Sequence, residues 1–189
     1  MIMHLLPEHT LGLLNIWLYP LLYGMITMLV MVNISHAQKK KILTFPKAKK
    51  TKRGPQLSSI GFMFGKGLIL YSVLVPIRSF NVYFYMGTVI YVLGLVLSVY
   101  AMWYFSKSDL SQPVTGGIYR LSRHPMQVMS FIMWFGIAIV SQTFFMVILV
   151  VLYGVLSYPS LKAQENYCMK AYGASYNDYM KKTPRYLFF

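Results

Sequence analysis

Acidic residues are scarce in this chain: 4 Asp+Glu stand against 18 Lys+Arg among 189 residues. They are Glu8, Asp109, Glu165 and Asp178, and no two form a local pair. That weighs against glycoside hydrolysis, which uses paired carboxylates. It weighs equally against a carboxylate-rich Mg²⁺ or Ca²⁺ cage. The single cysteine, Cys168, excludes an intramolecular disulfide and a Cys-rich zinc site. Charge of either sign is also sparse: 12% of residues are charged and 57% are hydrophobic. A soluble domain of that composition would expose large apolar patches, so an integral membrane protein is expected. The start, residues 1–10, has no Lys or Arg and so lacks the basic region of a signal peptide. The first apolar segment is expected to remain as an anchor.

The uncharged runs set the expected fold, an all-α polytopic membrane protein with five transmembrane helices. Residues 10–35 form the first span, with Pro20 as a candidate kink. Residues 38–56 form a basic loop containing Lys39, Lys40, Lys41, Lys47, Lys49, Lys50, Lys52 and Arg53. Pro46, Gly54 and Pro55 argue against one continuous helix there. Residues 57–78 form the second span, interrupted by Lys66, which is expected to snorkel. Gly61 and Gly65 give a small-xxx-small pair suited to helix contact. Residues 79–106 form the third span. The uncharged run 125–161 has 37 residues and would reach about 55 Å as one helix, against a core of about 30 Å. It is therefore read as a hairpin of two short antiparallel helices, over 126–161, turning at Ser141 and Gln142. Residues 107–125 then form an inner loop and residues 162–189 a C-terminal cap.

Basic residues near the span ends fall on one side, except Arg78. The positive-inside bias puts that side in the cytoplasm and the N-terminus outside. The basic loop is read as facing anionic lipid, with no nucleic-acid role. No long internal repeat is present, which disfavours an inverted-repeat transporter.

Two inner segments hold most of the chemically capable groups. In the first, Gly116 and Gly117 allow a tight turn, Arg120, Arg123 and His124 follow, and Pro125 starts a helix. Arg123 offers a fork suited to a carboxylate, and His124 exchanges protons near neutral pH. The bland alternative is a loop whose arginines hold lipid phosphates. In the second, Leu161, Glu165, Cys168 and Tyr172 share one helical face, closed by Gly173. Glu165 on an apolar stripe needs a partner, either an arginine in a structural ion pair or a polar or cationic ligand. Tyr172, Tyr176 and Tyr179 continue an aromatic stripe, read as packing. Thr183-Pro184-Arg185 ends the helical pattern.

These segments in order are Val114, Gly117-Ile-Tyr119-Arg120, Arg123-His124-Pro125-Met126, the hairpin, Glu165, Tyr172-Gly173, Tyr176, Tyr179 and Pro184-Arg185. The series covers about 40% of the chain. It resembles the isoprenylcysteine carboxyl methyltransferase family and its relatives, the phospholipid N-methyltransferases. The resemblance implies an integral membrane enzyme using S-adenosylmethionine, with S-adenosylhomocysteine as product and no metal. It assigns cofactor contacts to Val114, Gly117, Tyr119, His124, Pro125, Met126, Gln127, Gln164 and Glu165. Arg123, His124 and Glu165 become candidate catalytic residues, and Ser160 and Arg185 candidate substrate contacts. The sequence departs from the family pattern at Ser111, usually His, and Pro113, usually Leu. It also departs at Gln127, usually Tyr, Ser160, an Arg in some members, and Gln164, the first of two usual glutamates. A methyltransferase acting on a lipophilic acceptor, a prenylcysteine carboxylate or a lipid amine among them, is the expected function. A non-catalytic lipid- or cofactor-binding relative and a membrane scaffold or channel subunit are the alternatives.

Overall fold

A computed structural model describes residues 4–44 and 54–187. Every regular element among them is helical, and the only strand-like pairings are two isolated bridges, His4 with Thr143 and Asn15 with Pro76. Seven α-helices follow in order: α1 Leu18–Asn33, α2 His36–Thr44, α3 Gly54–Ser72, α4 Val82–Lys107, α5 Pro125–Ser141, α6 Phe144–Tyr172 and α7 Ala174–Lys182. A single 3₁₀ turn, Gly117–Arg120, lies in the loop before α5. α4 and α6 are long and apolar enough to cross a membrane, while α1, α5 and Ile60–Ser72 of α3 are shorter apolar helices.

α4 and α5 run antiparallel and touch backbone to backbone. A Cβ on Gly87 would lie 2.5 Å from the Gly136 carbonyl oxygen, and one on Gly136 would lie 2.6 Å from the Gly87 carbonyl oxygen. Larger residues there would push the helices apart. α3 and α6 form a second antiparallel pair. A Cβ on Gly61 would meet the Leu156 carbonyl oxygen at 2.6 Å, and one on Gly65 the Tyr153 ring at 3.1 Å. The small-xxx-small pair thus marks a real helix contact. Buried Tyr91, Leu95, Met133, Ile137, Val150 and Tyr153 join the two pairs in one core.

Several boundaries differ from the sequence reading, each for a local reason. The helix in the first uncharged run begins at Leu18, not near Thr10. Ahead of it the chain is tied to the end of α3 by backbone bonds: Thr10 N donates to Leu74 O and Ile16 N to Val75 O, while Leu14 O accepts from Ile77 N. Asn15 adds side-chain bonds to the Thr10 and Val73 carbonyls. Pro20 consequently falls in the first helical turn, where a missing N–H costs little, and is not a mid-helix kink. The turn between α5 and α6 does fall at Ser141–Gln142, with Gln142 in the left-handed region at φ 55°. The second arm is not short, however. α6 runs 29 residues through Pro159 to Tyr172, so the expected cytoplasmic helix is its continuation. Apolarity ends at Leu161, but nothing between Lys162 and Tyr172 breaks a helix. The basic stretch is partly helical, since α2 reaches Thr44 and α3 starts at Gly54; Lys47, Lys49, Lys50, Lys52 and Arg53 lie outside the described residues. Lys66 is exposed and turns back over the Phe62 ring, 4.6 Å from its centroid, and it also lines a cavity with Pro20, Tyr23 and Tyr153.

Candidate active site

At the end of the bundle where α4 finishes and α5 begins, a loop, α6, α7 and the tail converge. Pro125 occupies the first turn of α5 with His124 at the capping position. The Ser122 hydroxyl accepts from His124 N at 3.1 Å and donates to the Arg185 carbonyl at 2.8 Å. Arg123 N donates to the Pro184 carbonyl at 3.0 Å. The loop and the C-terminal tail therefore hold each other through backbone groups. Gly117, at φ 56°, lets the chain turn against the Tyr104 ring, where any Cβ would lie 2.8 Å from a ring carbon.

Around this junction lies a cavity of about 210 Å³. Of the expected cofactor contacts, Val114, Tyr119, His124, Pro125, Met126, Gln127 and Gln164 line it, as does Arg123. Gly117 shapes the turn without lining it. Glu165 stands behind the wall. Phe105 of α4 and Ile42 of α2 complete the lining, along with Pro113, Cys168, Tyr172, Tyr176 and Tyr179. The tyrosine stripe packs as expected: Tyr179 OH donates to the Tyr119 carbonyl at 2.6 Å, and Tyr172 OH to the Leu110 carbonyl at 3.1 Å. It also forms one wall of the cavity, which the packing reading did not anticipate. Phe105 and Ile42 carried no sequence signal, because apolar residues near helix ends look like any others.

Glu165 is the electrostatic centre. Its carboxylate accepts from Arg185 Nε at 2.9 Å and from Arg185 Nη2, and meets Arg123 Nη1 at 3.0 Å and His124 Nε2 at 3.3 Å. Only 7% of its side chain is exposed. Burial alone would raise its pKa. The hydrogen bonds from His124 and Arg185 and the Arg123 charge outweigh that, holding it at about 2. One carboxylate thus faces two permanent cations, which leaves the cluster a net positive charge. Arg123 Nε is buried with no hydrogen-bond partner, the only such side-chain atom among the described residues. What this atom lacks is a hydrogen-bond acceptor. Beside the cluster, burial pushes the Cys168 thiol up to about 11, against a lowering by Tyr176 and with a further rise from Glu165.

A second, apolar groove of about 680 Å³ runs between α5 and α6. Phe131, Ile132, Val151, Val155, Tyr158 and Leu187 are among its walls. Gln127 and Leu161 line both groove and cavity. Arg185 stacks on Tyr158 at 5.1 Å, so it links the Glu165 cluster to the groove wall. Ser160 lines neither space. Ser111 is exposed and bonds Asp109.

The family profile for phospholipid methyltransferases matches residues 60–175. That is more than half of the chain, and the chain belongs to this family of membrane methyltransferases. No curated protein and no solved structure matches the chain significantly.

Proposed function

We propose that this protein transfers a methyl group from S-adenosylmethionine to a lipophilic acceptor that approaches from the bilayer. One observation carries the reading: a cavity with polar and aromatic walls and an apolar groove share Gln127 and Leu161. A water-soluble donor and a lipid-soluble acceptor would meet at that boundary.

The residues present suit the donor. Arg123, in a cluster whose two arginines outnumber its one carboxylate, would take the donor's carboxylate, with His124 beside it. Gln164 and Gln127 supply polar contacts, and Phe105, Tyr119, Tyr172, Tyr176 and Tyr179 supply aromatic faces for a nucleoside and a cationic sulfonium. The cavity is below the roughly 300–1,000 Å³ common for small-ligand pockets, so donor binding requires it to widen. When bound, the donor supplies an electrophilic methyl whose sulfur leaves with the bonding electrons. The chain's part is to align the acceptor in line at about 3–3.5 Å and to exclude water. Glu165 and Arg185 act as positioning residues, because their charges are spent on each other and on Arg123. A carboxylate acceptor needs no base. For an amine acceptor, His124 is the base on hand.

In this reading α1, α3, α4, α5 and residues 144–161 of α6 are the five spans, with the N-terminus outside and the cavity and the rest of α6 facing the cytoplasm. The groove along Phe131, Tyr158 and Leu187, rather than Ser160, receives the acceptor. The test uses purified full-length protein and donor carrying a labelled methyl, offered with phospholipid and prenylcysteine acceptors. Label passing into the organic phase is the expected result. Donor binding with no label transferred to any acceptor would favour the non-catalytic relative.

A further inference from the structure

Arg78 is the basic residue that the inner-face bias leaves out, and it sits at the opposite end of the bundle from the donor cavity. Its side chain is only 16% exposed. Its guanidinium has one charged neighbour, Glu8, at 3.6 Å, and Glu8 itself is 74% exposed. That separation is too long for a hydrogen bond, and Arg78 makes none to another described side chain or backbone group. Its donors are held by no hydrogen bond among the described residues yet stay reachable from the adjoining space, so a ligand oxygen can take them up.

A cavity of about 500 Å³ lies against it, lined also by His4, Glu8, Thr10, Ser79 and Gln142. This space is built rather than incidental. His4 N donates to the Gln142 carbonyl and Phe144 N to the His4 carbonyl, each at 2.9 Å, which pins the N-terminal segment across the α5–α6 turn. The Gln142 carboxamide accepts from Asn81 Nδ2 at 2.9 Å and donates to Ser79, so it serves as a wall and not as a ligand. The open donors of Arg78, the Thr10 and Ser79 hydroxyls and the volume suit an oxyanion that displaces the exposed Glu8. Phe80 and Val82, next along the chain, are exposed apolar groups at 62% and 60%, which suits a ligand presented at a lipid surface.

We infer that this cavity is a second binding site, distinct from the donor cavity, for a phosphate-ester anion anchored by Arg78. The phosphate arrives either on a phospholipid headgroup or as a soluble anion. Glu8 competes with it for Arg78.

Calorimetry on the full chain in detergent separates these cases. The titrants are inorganic phosphate, dihexanoylphosphatidylglycerol and, lacking phosphate, dihexanoylglycerol. Both phosphates should bind, and Arg78→Gln should weaken them at least tenfold while leaving S-adenosylhomocysteine binding unchanged. Tighter binding of the lipid identifies a headgroup as the source; equal binding identifies a soluble anion; either supports the site. Glu8→Gln, at an exposed position that does not threaten folding, should strengthen inorganic phosphate binding about twofold to fivefold at low salt. Undiminished binding to Arg78→Gln, equal binding of dihexanoylglycerol, or no change in Glu8→Gln would overturn the inference.

Discussion

Arg185 and Glu165, twenty residues apart, meet in a two-bond fork, with Arg185 Nε 2.9 Å from Glu165 Oε1 and Nη2 on Oε2. The fork ties the C-terminal tail to the C-terminal part of α6, and Arg123 and His124 close on the same carboxylate. Its two partners are not equivalent. Glu165→Ala would leave two arginines without a counter-charge, whereas Arg185→Ala leaves Glu165 held by Arg123. Breaking a buried pair by removing one partner costs about 3–5 kcal/mol. Glu165→Ala should approach that cost, and Arg185→Ala, at a side chain 25% exposed, should cost markedly less. Melting temperatures in one detergent should rank wild type, Arg185→Ala, Glu165→Ala in descending order.

The same cluster predicts an acid transition. Glu165 is held at about 2, below its ordinary value of 4.5. A depressed carboxylate pKa contributes stability that is fully present above the unfolded value and is lost as pH falls toward the folded value. Its contribution should therefore be constant above about pH 5 and fade between pH 4.5 and 2. Glu165→Gln should remove that part of the acid sensitivity, measured as melting temperature against pH.

Cys168 lines the cavity but is buried, with its thiol pushed up to about 11. The reactive thiolate is rare at neutral pH. N-ethylmaleimide should label the native protein slowly at pH 7.5 and the unfolded protein rapidly. S-adenosylhomocysteine should slow the native reaction further, as read by intact mass.

Helix packing gives a contrast between glycines. Gly87→Ala places a methyl 2.5 Å from the Gly136 carbonyl, while a Cβ at Gly24 meets nothing within 4 Å. Gly87→Ala should destabilise by about 1–3 kcal/mol, as overpacking does. Gly24→Ala should be neutral or stabilise by up to about 1 kcal/mol through helix propensity. Thermal unfolding of the two variants checks this.

Some of this was legible in the sequence because local rules decide it. The 125–161 run was too long for one span, which placed the turn at Ser141–Gln142. Glu165 shared a helical stripe with Leu161 and Cys168, and all three are buried. Other features depend on contacts between distant segments. Nothing local tells Arg185 to fold back onto Glu165, since the tail is set by Pro184 and Arg185 carbonyls bonding to Arg123 and Ser122. Hydropathy marks where a helix leaves an apolar layer and not where it stops, so the length of α6 was hidden. The segment before Leu18 looked like part of a span because it is uncharged, yet its backbone bonds go to α3's end.

The central claim is that the cavity at Arg123 and His124 holds the methyl donor. Calorimetric titration of the folded protein with S-adenosylhomocysteine tests it most directly. Saturable one-site binding is expected, weakened about tenfold or more in Arg123→Ala, since hydrogen bonds to a charged group are worth about 1.5–3 kcal/mol. No heat at millimolar ligand in a folded sample, or equal affinity in wild type and Arg123→Ala, would contradict the account.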